Sequence, residues 1–169
     1  MKGNNSRNIE KVTLNYVNYS RKKVGLNEIR PARGLIFLAR RHSNKMMRRG
    51  KIWHGNNVIV ASEYVLKRRK LSILEQIIIF FLKIFSLPIS VRSKFSGING
   101  ENVAMMPIGR VKGFHKEIST DKDIAKALHI TWMNSHGHRA NILNPNFKLL
   151  GVGIKRKGKM TYATELFFG

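Results

Sequence analysis

The sequence predicts an α+β fold in which helices and sheet form separate layers. Two observations carry it: helical periodicity fills the early chain and returns after residue 119, and two alternating apolar runs close the chain as a pair of strands. Helices first and paired strands last, with another helix between them, argue against the strand-helix-strand alternation of a wound parallel sheet. At 169 residues and 43% hydrophobic content, the chain has the size of one domain with a core of its own.

The first helix is expected over residues 8 to 24, because Ile9, Val12, Tyr16 and Tyr19 recur at three-to-four spacing and Gly25 supplies a stop. A second follows from Leu35, Leu38, Ala39, His42 and Met46 on one face, with Arg40, Arg41, Lys45, Arg48 and Arg49 mostly on the other and Gly50 at its end. His42 on that apolar face reads as a core histidine. A third starts after Ser119 or Thr120, where "STDKD" offers a capping hydroxyl and early acids before Ile124, Leu128 and Trp132. It runs into "SHGHRANILNP". There Gly137 permits a left-handed C-cap, and Asn144 and Pro145 read as a turn. The final runs, "LLGVGI" and "MTYATELFF", are a hairpin joined through "KRKGK" with Gly158 in the turn. Thr161, Ala163, Glu165 and Phe167 then share one face.

Residues 67 to 95 depart from this pattern. Four basic residues, Lys67 to Lys70, precede a strongly apolar stretch, and Arg92 and Lys94 follow it. On a helical wheel the polar residues of 72 to 87 gather within roughly 100°, leaving an unusually wide apolar arc. Such a helix is about 24 Å long, short of the roughly 30 Å hydrocarbon core. It reads either as an interfacial helix contacting an anionic membrane through Ile77, Ile78, Phe80, Phe81 and Phe85, or as a buried or dimer-forming helix.

Charge narrows the partners. Lys and Arg number 32 against 9 Asp and Glu, a formal net charge of +23. An anionic membrane lipid or cell-envelope polymer fits such an excess. Nucleic acid is a third class, weakened by the absence of an aromatic stacking motif. The absence of cysteine excludes disulfides and thiolate metal sites. The N-terminus, "MKGNNSRNIEKVTLNYV", lacks the uninterrupted apolar stretch of a secretory signal.

The residues that carry chemistry are His54 in "KIWHGN", Glu101 in "NGENVA", His136 and His138 in "SHGHRAN", and Glu165 on the last strand. Imidazole and carboxylate together can ligate zinc or form a general-base pair. Glu101 equally reads as a helix cap before "VAMM". Phosphate-binding loops, nucleophile elbows and H-E-x-x-H helices are missing from the sequence.

"WMNSHGHRANILNPNFKLLGVGI" resembles the signature of the CAP superfamily (cysteine-rich secretory proteins, antigen 5 and pathogenesis-related proteins) in its prokaryotic branch. "LNYVNYSRKKVGLNEIRPARGLIFLARRHSNKMMRRGKIWHGN", "GENVA" and "YATELFFG" extend the likeness over about residues 9 to 169, interrupted by an insertion at about 66 to 97. The resemblance implies a three-layer α-β-α sandwich around a central antiparallel sheet, with a cleft of histidines and acids that can bind zinc in eukaryotic members. Carried over by position, His54 is the first cleft histidine and Glu101 the acid of the Gly-Glu-Asn motif. Tyr162, Ala163, Thr164 and Glu165 stand where eukaryotic members have His-Tyr-Thr-Gln, so His138 of Gly-His-Arg becomes the second histidine and His136 falls to the surface. The implied function is a binding protein for a lipid or cell-envelope ligand, extracellular or membrane-associated. The alternative is a zinc-assisted hydrolase in which His54, His138 and Glu101 hold the metal and Glu101 or Glu165 is the base.

Overall fold

Among the described residues, the apolar runs of the sequence become elements packed on a central sheet. The computed structural model describes residues 5–55 and 99–169. In chain order its elements are α1 (Asn5–Lys23), β1 (Arg30–Pro31), α2 (Arg33–Arg49), β2 (Asn99–Pro107), α3 (Asp121–Met133), α4 (His136–Ile142), β3 (Leu149–Lys157) and β4 (Met160–Phe168). The four-stranded sheet has the order β1-β3-β4-β2. β3 and β4 form the expected hairpin and β2 adds antiparallel to β4. The central strands are thus antiparallel, as expected, and only the two-residue β1 at the edge runs parallel to its neighbour β3.

The layering follows from which side each strand residue faces. Ala104, Met106, Val152, Ile154, Ala163 and Phe167 point towards α1 and α3, where Ile9, Val17, Ile124, Leu128 and Trp132 complete the larger core. On the other face α2 packs through Leu35, Leu38 and Ala39 against Leu166, and through Met46 against Val103 and Tyr162. Gly151 and Gly153 explain the "LLGVGI" pattern. A Cβ on either would lie 2.1 or 2.2 Å from a backbone carbon of Leu35 or Ala39, so only glycine lets α2 come this close.

Local chemistry sets the ends. Gly50 stops α2 at φ 67, in the left-handed region. Thr120 opens α3 with a reciprocal capping box, its hydroxyl accepting from Asp123 N while the Asp123 carboxylate accepts from Thr120 N. His42 is buried as expected, and its Nε2 donates to Trp53 O at 2.9 Å.

Three local expectations are corrected. Gly137 is not a left-handed cap, because Ser135 to Ile142 begin a new short helix and Gly137 lies inside it. Glu101 caps no helix, since "NGENVAMMP" is strand β2. Buried on both faces along much of its length, that strand shows no alternation to read. Lys155, Arg156 and Lys157 extend β3 and do not belong to the loop, leaving Gly158 and Lys159 as a two-residue turn. β4 is likewise covered on both sides. The insertion at 66 to 97, with Ile77, Ile78, Phe80, Phe81 and Phe85, lies outside the described residues. Among those described, no helix is long and apolar enough to cross a membrane.

Candidate functional site

The site forms around β2, the edge strand beyond β4, at the end where β2 begins. From Gly50 the chain doubles back over the sheet. Trp53 packs on the Met46, Val103 and Tyr162 cluster, and His42 meets it edge-on at 5.4 Å. Pinned there, Trp53 delivers His54 to Glu101. His54 Nδ1 lies 3.2 Å from Glu101 Oε1, and the same oxygen accepts from Gly55 N at 2.8 Å. Glu101 is 8% exposed, whereas the His54 side chain is 62% exposed and faces outward.

α4 supplies the other wall. His138 is half-buried, and its ring centroid is 6.0 Å from that of His54. Burial first, and the neighbouring His54 second, pull the His138 pKa below the ordinary histidine value, which favours neutral imidazole. Its Nδ1 is buried without a hydrogen-bond partner.

Asparagines hold α4 in place. Asn102 Nδ2 donates to His138 O at 3.2 Å and to Glu165 Oε2 at 2.9 Å, while its Oδ1 accepts from Asn141 Nδ2 at 2.9 Å. Asn141 Nδ2 also reaches Glu101 O at 3.3 Å. Gly100 makes room for this network, because a Cβ there would sit 2.7 Å from Asn141 Oδ1. The Gly-Glu-Asn motif therefore has three physical parts. Gly100 admits α4, Glu101 binds the His54 segment on one face of the sheet, and Asn102 ties α4 to the strand on the other. Arg21 fixes the exit from α4. Its buried guanidinium donates to the main-chain oxygens of Asn27, Ile142, Asn144 and Phe147. Sequence reading missed Asn102, Asn141 and Arg21. The only signal was the asparagine within the quoted motif.

The structure thus brings together His54, Glu101 and His138, places His136 on the surface, and sets Glu165 apart. Glu165 is fully buried on the α1 and α3 face, and burial raises its pKa to about 8 despite the hydrogen bond from Asn102. Without access to solvent, it has no route to act as base on a cleft substrate.

The zinc expectation requires a common focus for three donors. Glu101 Oε1 is engaged by His54 Nδ1 and Gly55 N, so the carboxylate orients that imidazole and does not join it around an ion. Among the described residues, no three His, Asp or Glu side chains are grouped to hold a metal. The residues as arranged do not fit a three-ligand site.

Comparison with known proteins agrees with this architecture. The model of the CAP, or cysteine-rich secretory protein, family matches residues 92–168. The Bacillus subtilis (strain 168) protein YkwD is 41% identical over 70 residues, covering 41% of this chain and 21% of the relative. The chain thus spans about a fifth of the curated relative that it matches. Among solved structures, an extracellular SCP-domain protein of Bacillus anthracis aligns at TM-score 0.57 and 20% identity, over 96% of this chain and 41% of that one. An outer surface protein of Borrelia burgdorferi aligns at 0.58 and 15% identity, over 95% and 92%. A cysteine-rich secretory protein of Staphylococcus aureus aligns at 0.59 and 15%, over 99% and 40%. At these identities the structural likeness speaks for the fold.

Proposed function

We propose, from the premise that this chain belongs to the prokaryotic CAP superfamily, that it is a binding protein whose His54, Glu101 and His138 cleft engages a lipid or cell-envelope ligand at an anionic surface outside the cell. The observation that carries the reading is the cleft itself. Two imidazoles stand 6.0 Å apart, one oriented by Glu101 and solvent-facing, the other half-buried and held towards its neutral form. They present hydrogen-bonding groups suited to a polar or anionic head group.

Binding is favoured over zinc-assisted hydrolysis by the carboxylates. Glu101 is committed to orienting the His54 segment and Glu165 is enclosed, so neither stands ready to activate a water. The net charge of +23 supports an anionic setting. The extracellular and outer-surface neighbours support export, and the apolar, basic-flanked insertion supports membrane attachment through Ile77, Ile78, Phe80, Phe81 and Phe85.

Calorimetry with a soluble short-chain phosphatidylglycerol and with soluble fragments of anionic cell-wall polymer tests the cleft. The His54→Ala, His138→Ala double variant is expected to lose about tenfold or more in affinity, about 1.4 kcal/mol, for whichever ligand binds, with an unchanged circular dichroism spectrum. If the double variant binds both as the parent does, the cleft is not the site.

A further inference from the structure

We propose that the face of the domain formed by the end of α2 and the β3–β4 hairpin is a second contact surface, one that seats on a bilayer bearing anionic head groups independently of the cleft. This rests on the anionic, envelope-facing setting proposed above, but not on what the cleft holds.

The surface can be built from the sheet register. Opposed residues of neighbouring strands share a face. Lys155, Tyr162 and Met105 therefore form one row across β3, β4 and β2, and Lys157, Met160 and Pro107 form the next. This is the α2 face, because Tyr162 is covered by Met46. Trp53 packs on that same cluster, and Ile52 immediately precedes it in the chain. Ile52 and Met105 are 42% and 40% exposed, two of the few large apolar side chains that the described residues leave in solvent.

Cations share this face. Arg49 lies 4.9 Å over the Trp53 ring, Lys51 precedes Ile52 in the chain, and half-exposed Lys155 and exposed Lys157 stand across β4 in the rows of Met105 and Pro107. Among the described residues of this face, no exposed acid offsets their charge. The described stretches that build it, 33–55, 99–107 and 149–168, contain only two acids, and both Glu101 and Glu165 are buried. The other described acids lie elsewhere in the chain. Glu10 pairs with Arg40, and Asp123 closes the α3 capping box.

A bilayer is the occupant this combination fits. Cations near an anionic leaflet gain from its surface potential, and exposed isoleucine and methionine gain by entering the boundary below the head groups. A soluble polyanion would use the cations and leave Ile52 and Met105 idle, so the apolar pair decides between them.

Sedimentation with vesicles of phosphatidylcholine containing phosphatidylglycerol tests the assignment on the full chain. Three neutralised cations, each worth about a fivefold change in partitioning, predict that Lys51→Gln, Lys155→Gln, Lys157→Gln lowers it about 100-fold. Ile52→Ser, Met105→Ser is expected to lower it at least about tenfold. All these substitutions are at exposed or half-exposed positions, and thermal melts check that each variant is folded. Parental partitioning by the charge variant overturns the proposal. So does a loss confined to the cleft variant, which would place the membrane contact in the cleft. Loss on the charge variant with none on the apolar pair, together with equal binding to duplex DNA, would assign the face to polyanions and overturn the bilayer.

Discussion

Glu165 shows most clearly what a single side chain does here. It occupies the position where the eukaryotic family pattern has glutamine, and burial raises its pKa to about 8. At neutral pH it is a protonated acid that accepts from Asn102 with one oxygen, much as a glutamine would. The native state holds this proton more tightly than the unfolded chain does. The resulting stability is fully present below the ordinary glutamate pKa of 4.5 and is lost as pH rises through about 8. Within that window the loss is at most about 1.4 kcal/mol per pH unit. Glu165→Gln keeps the hydrogen bond and cannot ionise, so its denaturant midpoint should fall less than the parent's between pH 5 and 8.5. Buried histidines such as His129, lowered to about 4 by burial, work in the opposite direction in both proteins and cancel in the comparison. Parallel pH profiles would show that Glu165 carries no such proton. At this scale sequence was informative about polar residues with a motif around them, His54, Glu101 and His138. It offered Asn102 only as a letter of the quoted motif and was silent about Asn141 and Arg21, whose partners include main-chain atoms far along the chain. No spacing rule encodes a bond from residue 21 to residue 142.

Helices were legible where one face is wet. α1, α2 and α3 each expose a polar side, so the 3.6-residue period survives in their sequence, and their ends carry glycine or a capping box. β2 is covered on both sides for most of its length and erased its own signature. α4 has only 7 residues, too few for periodicity, and follows α3 after a break at Asn134 and Ser135. Glycines separate the two kinds of element packing. Gly153 meets the α2 backbone, with a Cβ there 2.2 Å from Ala39 C, whereas Gly137 in α4 has nothing within 4 Å. Gly153→Ala should therefore cost about 1–3 kcal/mol or more in urea unfolding as α2 is pushed off the sheet. Gly137→Ala should gain about 0.5–1 kcal/mol by favouring the helix. Equal stability of the two variants would mean that α2 does not approach the sheet as closely as described.

At the scale of the whole molecule, charge was the property most completely readable from composition, and its consequence for stability can be decided by sign. The chain carries 32 Lys and Arg against 9 Asp and Glu. Few ion pairs oppose the resulting repulsion among the described residues. Arg40 and Glu10 form a two-pronged pair whose carboxylate also accepts from Ile154 N, and Lys116 lies 3.6 Å from Asp123 at the surface. Salt weakens such attractions and the repulsion together, since the Debye length falls from about 30 Å at 0.01 M to about 10 Å at 0.1 M. Exposed pairs are worth little to begin with, whereas like charges of one sign accumulate over the whole surface. Screening should therefore stabilise the fold. The melting temperature is expected to rise between 0.01 M and 0.3 M sodium chloride, by several degrees for each kcal/mol relieved, about 2–8 °C. Sodium phosphate at equal ionic strength should raise it further, because phosphate can also bind clustered cations such as Lys155, Lys157 and Lys159. A melting temperature that falls with salt would show that the few native ion pairs outweigh the net repulsion. A rise with no difference between the two anions would show that the basic clusters act only through their summed field.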